Sequence, residues 1–385
     1  MSLITTTKEL KAFCNRLKKA KFITVDTEFI RERTYWARLC LIQVAGPDEA
    51  YAIDPLADGI DLTPLYDILR DKKVLKVFHA CRQDLEIFFR EMGGKLPAPI
   101  FDTQIAAMVC GYGEQASYET LVNSLLKKQL DKTSRFTDWA QRPLTSKQLK
   151  YALADVTHLR PIYEKLSAML ETQKRGSWIK EEFKALTNKN NYTYNPEDAW
   201  SRIKLPSNKP RVLAVLKEIS AWREALAQKV DVPRGRIMKD ETLAEVALHM
   251  PASKEALGKL RSIQNGFADS ERGQQLIAAI KRGMETPEKD LPQRPSRPQF
   301  PPGLAPTIDL LRVLLKLKCE EGKVASKLLA RAEDLELIAA YGDEADVPAL
   351  SGWRLKVFGK DALALRSGKL ALAIENNRLK LVKAG

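Results

Sequence analysis

Four carboxylates set in apolar or helix-forming segments constrain this chain more than any other feature. Asp26 and Glu28 lie in FITVDTEFI, Asp84 in FHACRQDLEIFF, and Asp155 in YALADVTHL, with Tyr151 four residues before it. Ionised acids are costly to bury without a compensating charge. A fold that brings these segments together must therefore supply something that holds their charge.

The first segment is short, apolar and β-branched, which predicts a strand over 22–29. Alternation along a strand puts Asp26 and Glu28 on one face and Thr27 on the other. The two acids repel each other, and a divalent cation removes that cost. Hard oxygen donors suit Mg²⁺ or Mn²⁺ rather than zinc. An acid that simply meets solvent at the strand end fits the same pattern.

The second segment reads as a strand over 74–79, followed by a helix that begins near Cys81 to Asp84. A carboxylate in a first helical turn is favoured by the helix dipole alone, so a structural role for Asp84 stays open here. His79, at the strand end, can contact substrate or an acid, or can pack. The third segment predicts a helix with Thr145 or Ser146 as its N-cap. Leu149, Leu153, Val156 and Leu159 form its apolar stripe. Tyr151 and Asp155 share a different face, one turn apart. That pair can orient a water beside a metal, or can decorate a solvated helix. Asp102, just ahead of Thr103, Ile105, Ala106 and Ala107, reads as an N-cap and not as a fifth ligand. Asp54 and Asp61 read as strand-end and loop residues.

The order of the three segments narrows the reading. DTE on an early strand, HAxxxD at a strand-to-helix turn and YxxxD on a late helix resemble the tyrosine subclass of the DEDD 3′→5′ exonucleases. TYWARLCLIQVA, FDTQIAAMVCGYG and DWAQRPLTSKQLKYALADV are similar to the ribonuclease D family in particular. The resemblance implies an α/β ribonuclease H-like exonuclease domain, a mixed sheet flanked by helices. It implies two divalent ions, Mg²⁺ or Mn²⁺, with Asp26, Glu28, Asp84 and Asp155 as the metal-binding acids and Tyr151 as the water-orienting tyrosine. It also implies 3′→5′ hydrolysis of RNA with a single-stranded 3′ end, above all precursor tRNA, with release of nucleoside 5′-monophosphates. Thr27 and Phe29 beside the acids are expected to touch substrate, as is His79. A DNA exonuclease stays open, since the metal chemistry is indifferent to the sugar.

Composition sets outer bounds. The 385 residues allow two or three domains. No apolar run approaches the ~18 residues of a membrane span, and MSLITTTKELKAF lacks the layout of a signal peptide. The five cysteines show no CxxC pairing, which predicts reduced thiols and a cytoplasmic protein without a zinc site or a disulfide framework. No obligate protein partner is evident in the sequence. A net charge of +14 around an acidic centre favours a polyanionic substrate.

The chain divides by texture. Residues 1–170 alternate strand-like and helix-like segments, with further strands predicted over 38–45 and 49–53. Residues 171–210 read as a helical or irregular connector. Residues 211–289 read as helical, with Val212, Val215, Leu216, Ile219 and Trp222 on one face and a new helix starting at Asp240. They resemble the HRDC domain. A Pro-rich linker at 290–303 precedes a second, divergent all-helical HRDC-like module at 304–385, with Leu310, Leu311, Leu314, Leu315 and Leu317 as its core run. Arg234 and Arg236, beside Lys239, are expected to contact phosphates. For Arg354, Lys356, Lys360, Arg366, Lys369, Arg378, Lys380 and Lys383, phosphate contact and a solubilising surface both stay open.

Overall fold

The computed structural model describes residues 2–130, 137–294 and 300–384. It divides into two compact units. One comprises residues 1–28, 40–188 and 298–385; the other comprises 29–39 and 189–297.

The first unit is built on a mixed sheet. Its strands are β1 (Leu3–Ile4), β2 (Phe22–Ile30), β3 (Arg38–Ala45), β4 (Ala50–Ile53), β5 (Leu75–Phe78) and β6 (Ile100–Asp102), in the order β1-β4-β3-β2-β5-β6. β3 and β4 run antiparallel, whereas β5 pairs parallel with both β2 and β6. The four strands expected from apolar runs are present. β1 and β6 carry no such signal, because two or three residues cannot show a period. They exist through pairing, Leu3 with Ala52 and Val77 with Phe101.

Helices α1 (Thr7–Leu17), α2 (Thr63–Arg70), α3 (Arg82–Glu91), α4 (Thr103–Cys110), α5 (Tyr118–Leu121), α6 (Ser146–Thr172) and α7 (Gly176–Leu186) accompany the sheet. Thr145 caps α6 in a reciprocal arrangement with Gln148, each satisfying the other's main-chain donor. The buried stripe of α6 runs through Gln148, Ala152, Val156, Leu159 and Ile162. Leu149 and Leu153, expected on that stripe, are only half-buried. Gln148 can go inside because the capping box and Thr137 use its amide.

Beyond residue 300 the chain forms α8 through α10 of this unit: α8 (Ala305–Gly322), α9 (Ser326–Leu329) and α10 (Ala332–Tyr341). These helices share one hydrophobic core with the sheet. Leu311, Leu314, Leu329, Ile338 and Phe358 cluster with Val77, Phe101, Leu159, Ile162 and Leu166. The seam is tight. Gly111 ends α4 in the left-handed region (φ 88°), and a Cβ there would lie 2.8 Å from the Lys323 carbonyl. Arg175 donates to the carbonyls of Val109 (2.8 Å) and Gly322 (2.6 Å). Trp178 and Trp353 stack at 4.1 Å. The chain then adds a hairpin, β7 (Leu370–Glu375) and β8 (Arg378–Lys383), to a C-terminal region that is otherwise helical. Its Leu372 and Leu381 pack on the same core.

Several of the C-terminal cations, for which phosphate contact and a solubilising surface both stayed open, are used internally. Arg354 is buried and pairs with Glu181 (2.5 Å) and Glu182. Arg366 donates to the Ala339 carbonyl at 2.9 Å, and Lys380 pairs with Glu375.

The second unit is helical: α11 (Pro210–Lys229), α12 (Arg234–Ile237), α13 (Asp240–His249), α14 (Lys254–Gly258) and α15 (Glu271–Glu285). Val212, Val215, Leu216 and Ile219 form its core with Leu243, Val246, Leu276 and Ile280. Residues 29–39 belong to it. Tyr35 is buried against Ala227 and Ile237 and donates its hydroxyl to the buried Glu224. Arg234, expected on RNA, lies 3.3 Å from Glu224 and over the Tyr35 ring, so it balances a buried acid. Arg236 is exposed. The Pro-rich linker expected at 290–303 falls partly outside the described residues.

Candidate active site

β2, α3 and α6 bring the four carboxylates together. Asp26, Glu28 and Asp155 each offer an oxygen within 4.8 Å of the others. Asp84 stands in the first turn of α3 and accepts a hydrogen bond from the Thr27 hydroxyl. Asp26 feels the charges of the other three, and Glu28 feels those of Asp155 and Asp84. Burial, then Asp84, Asp155 and Glu28, drives the Asp26 carboxyl far above its usual range. Burial and then the charges of Asp155 and Asp84 push Glu28 up to about 9. Asp84 rises to about 6, mainly through burial, against the opposing pull of the Thr27 hydroxyl. Clustered acids at such a cost are a hallmark of functional sites, and an all-oxygen donor set fits a hard divalent cation.

The local sequence explains the placement. β2 alternates, so Thr24, Asp26 and Glu28 share a face. α3 starts where Ala80, at φ 55°, turns the chain out of β5. Asp102 makes that turn possible. It caps α4 through Gln104 (2.7 Å) and Ile105 (3.3 Å), as expected of an N-cap. It also accepts from the main chain of Ala80 (3.1 Å) and Cys81 (2.8 Å), the residues that launch the Asp84 helix.

Tyr151 and Asp155 are half-buried on α6, and the buried Trp139 ring lies 6.1 Å from Tyr151. Thr27, expected to meet substrate, is buried and spends its hydroxyl on Asp84. His79 is similarly engaged: its Nδ1 is 2.9 Å from the Thr103 hydroxyl and its ring faces Tyr118 at 5.5 Å. Burial lowers its pKa. Phe29 is half-buried at the end of β2, where the chain enters the second unit.

Sequence reasoning missed Thr24, Tyr118 and Trp139 as neighbours of the site. Burial, and after it the charges of Asp155, Asp26 and Tyr151, raises the Tyr118 pKa. SYETLV offers no periodic or motif signal for that position; only the fold brings it there.

The 3′-5′ exonuclease family matches residues 1–171, and the HRDC domain matches residues 212–280. Ribonuclease D of Nitrobacter hamburgensis is 49% identical over 379 residues, 98% of each chain. Ribonuclease D of Jannaschia sp. is 50% identical over 387 residues, 99% of each. The chain belongs to the ribonuclease D family. The crystal structure of Escherichia coli RNase D, described as an exoribonuclease involved in structured RNA processing, has a TM-score of 0.81 at 31% identity and covers 94% of this chain and 98% of its own. The protein is thus a 3′→5′ exoribonuclease, with an exonuclease domain, an HRDC domain and a mostly helical C-terminal region. Among the described residues, no helix is long and apolar enough to cross a membrane.

Proposed function

We propose that this ribonuclease D-type enzyme trims single-stranded 3′ ends of structured RNA, above all precursor tRNA, with two divalent ions and the release of nucleoside 5′-monophosphates. The observation that carries this reading is the convergence of Asp26, Glu28 and Asp155 within 4.8 Å, next to Asp84. These four acids would hold Mg²⁺ or Mn²⁺, with Asp26 serving both ions and Asp84 acting from further out. When bound, the ions would acidify the attacking water, neutralise the phosphate and stabilise the leaving 3′ oxygen.

The chain's own residues do the rest. Tyr151, one turn before Asp155, orients the water for attack on the last phosphodiester. Thr27 holds Asp84 in place. The bond from phosphorus to the 3′ oxygen of the upstream nucleotide breaks; the phosphate leaves on the 5′ side of the released nucleotide, and the shortened RNA keeps a 3′ hydroxyl. A site fed by one strand end stops at a duplex. Arg236 and its neighbours on the second unit add phosphate contacts that keep long RNA bound, as expected of a basic HRDC surface.

The helices α8–α10 are a divergent copy of α11–α13. Both sets run from a long helix through a four-residue helix, Ser326–Leu329 or Arg234–Ile237, to a ten-residue helix. Their buried positions repeat in step: Leu329, Leu335, Ile338 and Ala339 against Ile237, Leu243, Val246 and Ala247. The cytoplasm, with its reduced thiols and its tRNA precursors, is the compartment that fits five free cysteines.

The test is a 5′-labelled precursor tRNA with a single-stranded 3′ tail, incubated with Mg²⁺ or Mn²⁺ beside a matched DNA tail. Stepwise shortening of the RNA from the 3′ end, halting at the acceptor stem with 5′-monophosphate products, is expected. Internal cuts, 3′-phosphate ends or turnover undiminished by chelator would refute it.

A further inference from the structure

α6 carries Tyr151 and Asp155, and it also contains a proline six residues beyond Asp155. Pro161 lies inside the helix, supplies no N–H to the Thr157 carbonyl and crowds it. A helix weakened this close to its working turn needs support from outside. Two side-chain hydroxyls provide it, and both reach main-chain carbonyls of that turn.

Thr24 is fully buried on β2 and donates its hydroxyl to the Val156 carbonyl at 2.7 Å. It stands two residues before Asp26 and on the same strand face. The bond therefore ties the strand with two of the acids to the helix with the third. Tyr118, the first residue of α5, donates to the carbonyl of Asp155 itself, with the Ala154 carbonyl at 3.2 Å. Three consecutive residues, 154–156, are gripped in this way. The Tyr118 ring is backed by His79, which is fixed by Thr103.

We propose that Thr24 and Tyr118 are positioning residues that clamp the α6 turn bearing Tyr151 and Asp155, and so set the geometry of the cation site. Neither hydroxyl offers itself to substrate; each acts through main-chain carbonyls of that turn. The proposal rests on the catalytic reading given above for Asp155 and Tyr151.

The experiment compares full-length Tyr118→Phe, Thr24→Val and Thr24→Ser with wild type. Mn²⁺ binding is followed by paramagnetic resonance without RNA. Turnover of a short single-stranded RNA, and melting in chelator, are measured in parallel. Tyr118→Phe and Thr24→Val are expected to weaken Mn²⁺ binding or lower kcat by about 10- to 100-fold, the usual cost of losing a support behind a ligand. KM for RNA should stay within about twofold, since ground-state contacts are untouched. Thr24→Ser keeps the hydroxyl and should restore both properties.

Wild-type Mn²⁺ affinity and kcat in Tyr118→Phe overturn the role of Tyr118. Equal losses in Thr24→Ser and Thr24→Val mark Thr24 as a packing residue and overturn its role. Should Thr24→Val not fold, the Tyr118→Phe and Thr24→Ser pair decides. If wild type binds Mn²⁺ but leaves RNA intact, the catalytic reading fails, while the difference in Mn²⁺ affinity still tests the clamp.

Discussion

Glu28→Gln should stabilise the metal-free protein at neutral pH. In the fold the Glu28 carboxyl is held at about 9, against 4.5 for an ordinary glutamate, through burial and the charges of Asp155 and Asp84. An acid with a raised pKa favours folding only in its protonated form. Its penalty is absent below pH 4.5, grows as the unfolded chain ionises, and is complete near pH 9. At pH 7.5 the gap from 4.5 is about three units, each worth ~1.4 kcal/mol, so the upper limit is about 4 kcal/mol. Buried glutamine also loses water, so the measured gain should be about 2–4 kcal/mol. For a unit of this size that corresponds to a melting rise of roughly 5–10 °C. At pH 5 the gain falls below about 1 kcal/mol. Saturating Mn²⁺ should close or invert the difference, because wild type gains about 2.7 kcal/mol at a hundredfold excess over Kd and the variant has lost a ligand. The assay is thermal melting with chelator or Mn²⁺ at pH 5 and 7.5. If Glu28→Gln melts below wild type in chelator at pH 7.5, or if its advantage is the same at both pH values, then Glu28 is not held among repelling acids and the cation argument fails.

Tyr151→Phe should lower kcat by roughly 10²–10⁴ with an unchanged melting temperature, the usual effect of losing positioned proton chemistry; steady-state turnover of a tailed RNA checks it. Asp102→Asn should put an amide where Cys81 N–H now meets a carboxylate oxygen at 2.8 Å. A loss of about 1–3 kcal/mol in denaturant unfolding is expected, and an unchanged midpoint would remove Asp102 from the turn that launches α3. Tyr35→Phe leaves the buried Glu224 with Arg234 at 3.3 Å but without the phenol. It should destabilise the second unit by about 1–3 kcal/mol, read as faster amide exchange in Pro210–Lys229, with little change in turnover of short RNA.

Much of the site was legible in local chemistry. Acids at i and i+2 in an apolar strand, and a tyrosine four residues before an acid on a helix, announce shared faces in one dimension. Asp102 declared itself a cap by its place before Thr103, and its two further bonds to Ala80 and Cys81 did not show. Thr27, beside the acids, and His79, at a strand end, were expected to touch substrate; in the fold the Thr27 hydroxyl is turned to Asp84 and the His79 Nδ1 to Thr103. Texture also separated an N-terminal sheet domain from helical text, but could not tell which helices would share a core. Leu311 and Leu314 have the same pattern whether they close a small bundle or cover a sheet, and here they pack with Val77 and Phe101.

The order of residues, then, determined which side chains are able to do chemistry: spacing set the strand and helix faces that carry the acids and the tyrosine, and the resemblance of the three motifs to a known family singled those residues out. Tertiary structure decided how costly those acids are and what steadies them. Burial and mutual repulsion depend on long-range approach, Asp26 to Asp155 and Thr24 to Val156 across more than 120 residues, and no local period encodes a contact made through space.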